Sequence, residues 1–181
     1  MALIVRQEGP DDAAAIAAAV RRAYADVPYS DHREHLMIAR LRSSAAWIPA
    51  LSLLAEEDGR VVGHILLTRA AIRGARGSTP TLALAPLSVV PEWQGRGVGG
   101  RLVRAAHQRA RDLGYGSVVL VGIPDYYRRF GYRPMADHAI AVPFTVPARN
   151  CMVLALTPDG LSGVEGMVQY ASEWMGGGGA G

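Results

Sequence analysis

The chain has one cysteine in 181 residues, so no intrachain disulfide can form. That fits a reducing compartment and predicts a cytoplasmic protein. Cys151 lies in the apolar run 151–156 and reads as a small core residue. Aromatic residues make up only 7% of the chain and no long basic run occurs, which argues against a nucleic-acid surface. No apolar run approaches the roughly 20 residues that cross a bilayer. No basic stretch followed by a long apolar region opens the sequence, so neither membrane insertion nor a signal peptide is expected. The five histidines, at 32, 35, 64, 107 and 138, share no ligand spacing, and no metal is expected. A Gly-Lys-Ser/Thr tripeptide is also missing, which removes the P-loop.

The chain does carry enough apolar residues, 50%, for a proper core. No linker or repeat divides it. Residues 1–175 are expected to form one domain, and 176–181 a flexible glycine-rich tail without chemistry. The net charge is +3, and arginines gather near one glycine-rich turn and at Arg128, Arg129 and Arg133. A polyanionic cofactor explains that clustering better than nucleic acid does.

That turn organises the sequence. An apolar segment, 82–90, ends at Pro91, and Gln94-Gly95-Arg96-Gly97-Val98-Gly99-Gly100 follows. A helix then begins at once, with Val98, Leu102, Ala105, Ala106, Ala110 and Leu113 at helical spacing. Four glycines in six residues allow positive φ and close approach of a ligand to the backbone. The unpaired N–H groups and dipole of the helix start favour an anion, most naturally phosphate or pyrophosphate. Gly95, Gly97 and Gly100 also fit G-x-G-x-x-G, but no strand ending in an acidic residue follows where a dinucleotide site needs one.

Gln94-x-x-Gly97-x-Gly99, after a strand and a Val-Val-Pro-Glu corner, resembles the acetyl-CoA motif of the GNAT superfamily. Tyr126-Tyr127-Arg128-Arg129-Phe130-Gly131-Tyr132 is similar to that superfamily's Tyr-x-x-x-Gly-Phe/Tyr segment, and 55–65 looks like the hairpin before the motif. The whole length, including 161–170, resembles the YhbS-like group of bacterial GNAT proteins. From the residues alone the elements read as a mixed α/β sheet with helices on both faces. The resemblance sharpens this to a mostly antiparallel central sheet (α+β) in which strands 82–90 and 117–121 run parallel and splay apart, with the pantetheine arm in the gap.

Along the chain, a short strand at 3–6 precedes a helix begun by Pro10-Asp11-Asp12, whose buried stripe would be Ile16, Val20, Ala23 and Tyr24. A second helix, about 31–43, presents Leu36, Met37, Arg40 and Leu41. Segments 51–56 and 60–72 read as a hairpin turned at Glu57-Asp58-Gly59, and 74–80 as a loop. The glycine-turn helix runs to about Leu113, a buried strand spans 117–121, and 124–130 is a short helix or turn. Two or three short strands follow Pro134, the clearest at 152–156.

The resemblance implies an acyl-CoA-dependent N-acetyltransferase that moves acetyl from acetyl-CoA to a primary amine by direct attack. Backbone groups of Gln94, Gly95, Arg96, Gly97, Val98, Gly99 and Gly100 would hold the pyrophosphate, and strand residues Leu87, Ser88 and Val89 the pantetheine. An N–H near Val89 would polarise the thioester carbonyl. Tyr127 would protonate the leaving thiolate or contact the cofactor, with adjacent Tyr126 as its rival. The amine, almost wholly charged at neutral pH, needs a base. Many GNAT enzymes keep a carboxylate on the strand before the turn; here that position is Ala85, leaving His64, Glu34 or water open. The asparagine that often precedes the tyrosine segment is also absent, and Ile123-Pro124-Asp125 stands there. Asp31, His32, Glu34 and His35 would border the acceptor site. The acceptor is a small-molecule amine, mildly preferred, or a protein amine, and pairing of edge strands or C-terminal segments would give a homodimer. The competing readings are a non-catalytic acyl-CoA sensor and a nucleotide-binding protein using the same turn.

Overall fold

The computed structural model describes residues 2–176, so all of the expected tail except Gly176 lies outside the described residues. In chain order the elements are β1 (Ile4–Gln7), α1 (Ala13–Tyr24), α2 (Glu34–Arg42), β2 (Ser52–Glu57), β3 (Arg60–Gly74), β4 (Gly77–Val89), α3 (Val98–Asp112), β5 (Ser117–Val121), α4 (Pro124–Tyr127), β6 (Arg133–Pro134), β7 (Ile140–Ala141), β8 (Cys151–Ala155) and β9 (Gly166–Gln169). The sheet order is β1-β2-β3-β4-β5-β8-β6, with β9 pairing both β3 and β7. Every pair is antiparallel except β4–β5 and β7–β9. This is the expected mixed, mostly antiparallel sheet with helices on both faces. Among the described residues no helix is long and apolar enough to cross a membrane.

The two-residue strand period sorts the core. Leu53, Ile65, Leu67, Leu82, Val118 and Leu154 meet Leu102, Val103, Ala106 and Ala110 of α3 on one face. Leu54 and Leu66 point the other way, onto Ile16 and Val20 of α1 and Ile38 and Leu41 of α2. Ala23 and Tyr24, expected in the buried stripe of the first helix, are only partly covered, and Leu36 of α2 is exposed. The second helix starts later than its polar pattern suggested, because Asp31 and Ser30 bond the backbone of the loop before it.

The hairpin turns as expected, with Asp58 and Gly59 both at positive φ (48° and 75°). The stretch read as a loop, 74–80, is corrected. Gly74 and Gly77 already oppose each other across a tight turn, and β4 runs from Gly77. Pro80 hid this, but it pairs with Ala71 where β4 has no partner on its other edge, so the missing N–H costs nothing.

β4 meets β5 at only two register positions, Leu82↔Val118 and Ala83↔Val119. The pairing ends there, and Ala85 and Pro86 follow in an irregular stretch of β4 between Leu84 and Leu87. β3 pairs with the opposite edge of β4 on both sides of a register shift that skips Ala85 and Pro86, with Val90 N–H bonded to Val62 C=O.

Beneath α3, His107 Nε2 meets the Tyr132 hydroxyl at 2.8 Å, and both residues are buried. Burial first, then the charge of Arg111, pull the His107 pKa down to about 4. The unfolded chain binds this proton at higher pH than the folded one, so the contribution is present above the ordinary histidine value and lost as pH falls towards 4. Urea unfolding should therefore show the His107 share, about 3 kcal/mol, disappearing over that window. His107→Gln should flatten this part of the stability–pH curve.

Candidate active site

The gap between β4 and β5 opens into a cleft of about 660 Å3, within the usual range for small-ligand sites. Its walls come from the end of α1 and the loop after it (Tyr24, Val27, Tyr29), from β4 (Leu87, Ser88, Val89), from the turn into α3, and from the β5–α4 region. Val90 N–H points to β3, so two-residue alternation turns the N–H and C=O of Leu87 and Val89 towards the gap. Two of these groups are already used: Tyr24 Oη donates to Leu87 C=O at 2.9 Å, and Gln94 Nε2 to Val89 C=O at 3.0 Å. The Leu87 and Val89 amides remain aimed into the cleft.

The turn at its mouth is built by glycine conformation. Gly95 and Gly97 take φ of 72° and 80°, with open space around each. Arg101 N–H, bonded to Gly97 C=O, makes the first intrahelical bond of α3, leaving the amides of Val98, Gly99 and Gly100 ahead of it. The Val98 side chain is buried, so only its backbone can serve a ligand. Gly99 matters for space, because a Cβ there would collide with the Tyr126 hydroxyl. Arg96 lies outside the cleft wall, its guanidinium 5.0 Å from the Trp93 ring centroid. Arg129 lines the cleft and stacks on Tyr126 at 4.1 Å. This arrangement can hold an elongated ligand with an anionic group at the α3 end and an amide-bearing arm along β4.

Tyr126 and Tyr127 both line the cleft, with rings 5.0 Å apart, but point to different ends. Tyr126 sits at the glycine turn. Tyr127 packs edge-on to Tyr132 at 5.6 Å, with Tyr24, Tyr126 and Tyr29 also close by. Burial above all, then those neighbours, push its phenol well above its ordinary value, so it carries its proton.

His64 lies elsewhere. It is fully buried on the α1–α2 side of β3, with Nε2 2.9 Å from Ser52 Oγ, and it does not line the cleft. Burial is the main cause that holds its pKa below the ordinary value. Ser88, directly across the strand pair, does line the cleft. Ala85 is not part of the wall, and neither are Asp31, His32, Glu34 and His35. Asp31 and Glu34 instead line a separate hollow of about 380 Å3 beside Arg40 and Trp174, while His32 Nδ1 contacts the Tyr24 carbonyl at 2.9 Å.

Several wall residues carry no motif that marks them in the sequence, Tyr24, Tyr29 and Asn150 among them. Tyr24 belongs to the stripe expected in the core, and Tyr29 lies in the loop after α1. Asn150, just before β8, stands beside the β5 end because its carbonyl accepts from Gly122 N–H at 2.9 Å. Its Oδ1 is buried without a partner among the described residues. Only strand pairing brings it there, so no local signal could reveal it.

Residues 16–132 match the Acetyltransferase (GNAT) family. The chain belongs to the GNAT family. It is 42% identical over 119 residues, 65% of this chain and 66% of the relative, to the uncharacterized N-acetyltransferase YjhQ of Escherichia coli K12. The uncharacterized N-acetyltransferase YhbS of the same strain is 29% identical over 93% of this chain and 96% of its own length. Among solved structures, the E. coli GNAT protein YhbS in complex with CoA superposes with a TM-score of 0.86 at 28% identity, covering 97% of this chain and 93% of that one. A Brucella melitensis GNAT acetyltransferase in complex with acetyl-CoA gives 0.79 at 34% identity, covering 96% and 98%.

Gly97 and Gly99 of this GNAT turn should respond differently to substitution. Gly97→Ala should cost about 1 kcal/mol in unfolding free energy, since only the left-handed backbone is strained. Gly99→Ala keeps its backbone but must displace Tyr126, which a crystal structure of the variant would reveal.

Proposed function

We propose that this chain is an acetyl-CoA-dependent N-acetyltransferase acting on a primary amine by direct attack. The observation that carries the reading is the continuity of one cleft from the free amides of the α3 turn to the inward-facing amides of Leu87 and Val89. Pyrophosphate would lie on the backbone of Gln94, Gly95, Arg96, Gly97, Val98, Gly99 and Gly100. The pantetheine amides would pair with the β4 edge at Leu87–Val89, and Asn150 Oδ1 is a buried acceptor on the facing wall that such an amide N–H would satisfy. CoA and acetyl-CoA in the two structural relatives support this assignment.

Acetyl-CoA supplies the activated thioester; the chain's residues orient it and manage the proton and charge. The Val89 N–H is the donor available to the carbonyl oxygen as it gains charge. Tyr127, protonated and near Tyr24 and Tyr29 rather than at the turn, is the proposed acid for the leaving sulfur. The acceptor would enter beside Tyr24, Val27, Tyr29 and Ile123. These apolar and aromatic walls favour a small amine.

Thermal unfolding with acetyl-CoA, CoA, ATP and NAD, each in excess, tests the cofactor. Acetyl-CoA and CoA should stabilise the fold by about 2.7 kcal/mol at a hundredfold excess over Kd, and ATP and NAD should not match them. Tyr127→Phe should keep CoA affinity and lower turnover by about 100-fold; an unchanged rate removes its acid role. All 19 basic residues are arginine, so acetylated lysine in an assay cannot arise from the enzyme itself. Tight CoA binding with no transfer to any amine would instead establish the sensor reading, which the alanine at position 85 favours.

A further inference from the structure

A chain of buried polar groups runs from the α1–α2 side of the sheet to the cleft wall. Glu8, just after β1, is almost fully covered; Arg42 Nε donates to it at 2.8 Å and the Ser52 hydroxyl bonds its Oε2. His64 Nε2 lies 2.9 Å from Ser52 Oγ and 3.5 Å from Glu8 Oε2. His64 opposes Ser88 in the β3–β4 register, and Ser88 lines the cleft.

The protons in this chain have one consistent arrangement. Arg42, Ser52 and His64 bonds outweigh burial and hold Glu8 at about 2, so its carboxylate is ionised and can only accept. Ser52 therefore donates its hydroxyl proton to Glu8. Its oxygen is left to accept, which places the imidazole proton on Nε2. The opposite assignment would put Ser52 Oγ and the carboxylate in contact with no proton between them. His64 Nδ1 is thus a bare lone pair, and among the described residues it has no partner. Ser88 Oγ, also buried, makes no hydrogen bond of good geometry among the described residues, although the Tyr24 hydroxyl is close by. Two orphaned polar atoms on directly opposed residues, about 5 Å apart at Cβ, each cost desolvation energy unless something uses them.

We propose that Ser88, His64, Ser52 and Glu8 form a buried proton relay that opens on the cleft at Ser88 Oγ and takes the proton from the acceptor amine. The inference rests on the N-acetyltransferase reading and assigns the base which Ala85 does not supply. The acceptor ammonium gives one proton to Ser88 Oγ as the hydroxyl proton of Ser88 passes to His64 Nδ1, directly after side-chain rotation or through one water, and the lone pair so freed bonds to the thioester carbonyl carbon. The imidazolium is held by Ser52 and Glu8. The C–S bond then breaks, the thiolate takes a proton from Tyr127, the nitrogen's second proton restores the Tyr127 phenol through water, and His64 releases its proton to solvent. The products are the amide and CoA thiol. The charged and titratable groups facing the relay are Glu8, Arg42 of α2 and, beside Ser88, Tyr24 of α1. In this scheme His64 and Ser52 act through Ser88 and are positioning and relay groups, while Ser88 alone meets the amine.

Two measurements test the relay. Long-range 15N–1H spectra of the histidine rings should show His64 neutral, with a protonated Nε2 and a bare Nδ1 whose resonance moves in Ser88→Ala. A protonated Nδ1 overturns the relay whatever the activity. Release of CoA thiol from acetyl-CoA with a panel of alkylamines gives the second readout. Wild-type kcat should vary little between about pH 7 and 9, whereas that of Ser88→Ala should be about 100-fold lower at pH 7 and climb about tenfold per pH unit towards the amine's own pKa. His64→Gln should behave alike, and Ser88→Ala, a small change on the cleft wall, keeps the test decisive if the buried variant fails to fold. CoA affinity should be unchanged in Ser88→Ala; its loss would assign Ser88 to the cofactor and overturn the relay. Wild-type transfer with an unaltered profile in Ser88→Ala sinks the relay alone. No transfer by the wild type overturns both the relay and the enzyme reading.

Discussion

Two paired positions, Leu82 with Val118 and Ala83 with Val119, hold β4 against β5, and the site exists because the pairing stops there. Beyond them the backbone amides of Leu87 and Val89 have no strand to satisfy them on that side. An unpaired strand edge is ordinarily a hazard, since it invites any extended chain to pair with it. Here it is recessed in a cleft, flanked by the helix start and two tyrosines, so only a slender ligand with its own amides can reach it. The sheet is whole everywhere that stability needs it and open over the few residues where binding does.

The alternation of side chains along β3 and β4 separates two tasks. Residues of one parity, such as Ile65 and Leu67, build the α3 face and fix the helix whose first turn meets the anion. Residues of the other parity, His64 and Ser88 among them, look towards α1 and α2, where the end of α1 and the following loop form the rest of the wall. One strand pair thus presents backbone to one ligand and side chains to another. The β3–β4 register itself shifts between Ile65 and Leu67, and this carries Ser88 to the face opposite Leu82 and Leu84.

Much of the architecture could be read in advance because its signals are local. Glycines at 95, 97, 99 and 100 before an amphipathic helix announce the turn, and Glu57-Asp58-Gly59 announces the hairpin. Pro80 misled, because a proline is legible in sequence while the unpaired edge that tolerates it is not. Asn150 and Tyr24 reached the cleft by strand pairing and by the end of a helix, and neither leaves a trace in neighbouring residues. His64 is open as a base from the sequence, yet its tautomer depends on Glu8 and Ser52, which lie far away in sequence. Charge networks of this kind are assembled by the fold, so a linear reading finds their members without their order.

The bond from Tyr24 Oη to the Leu87 carbonyl has a further consequence. It ties the last residue of α1 to the strand edge proposed to grip the cofactor. A molecule that enters beside α1 and disturbs Tyr24 must also alter the position of Leu87, and a molecule laid along Leu87 must stiffen Tyr24. Two ligands that share a single hydrogen bond in this way cannot bind independently, and thermodynamic reciprocity requires each to change the other's affinity by the same factor. Occupancy of one half of the cleft is thereby reported to the other through the edge of β4.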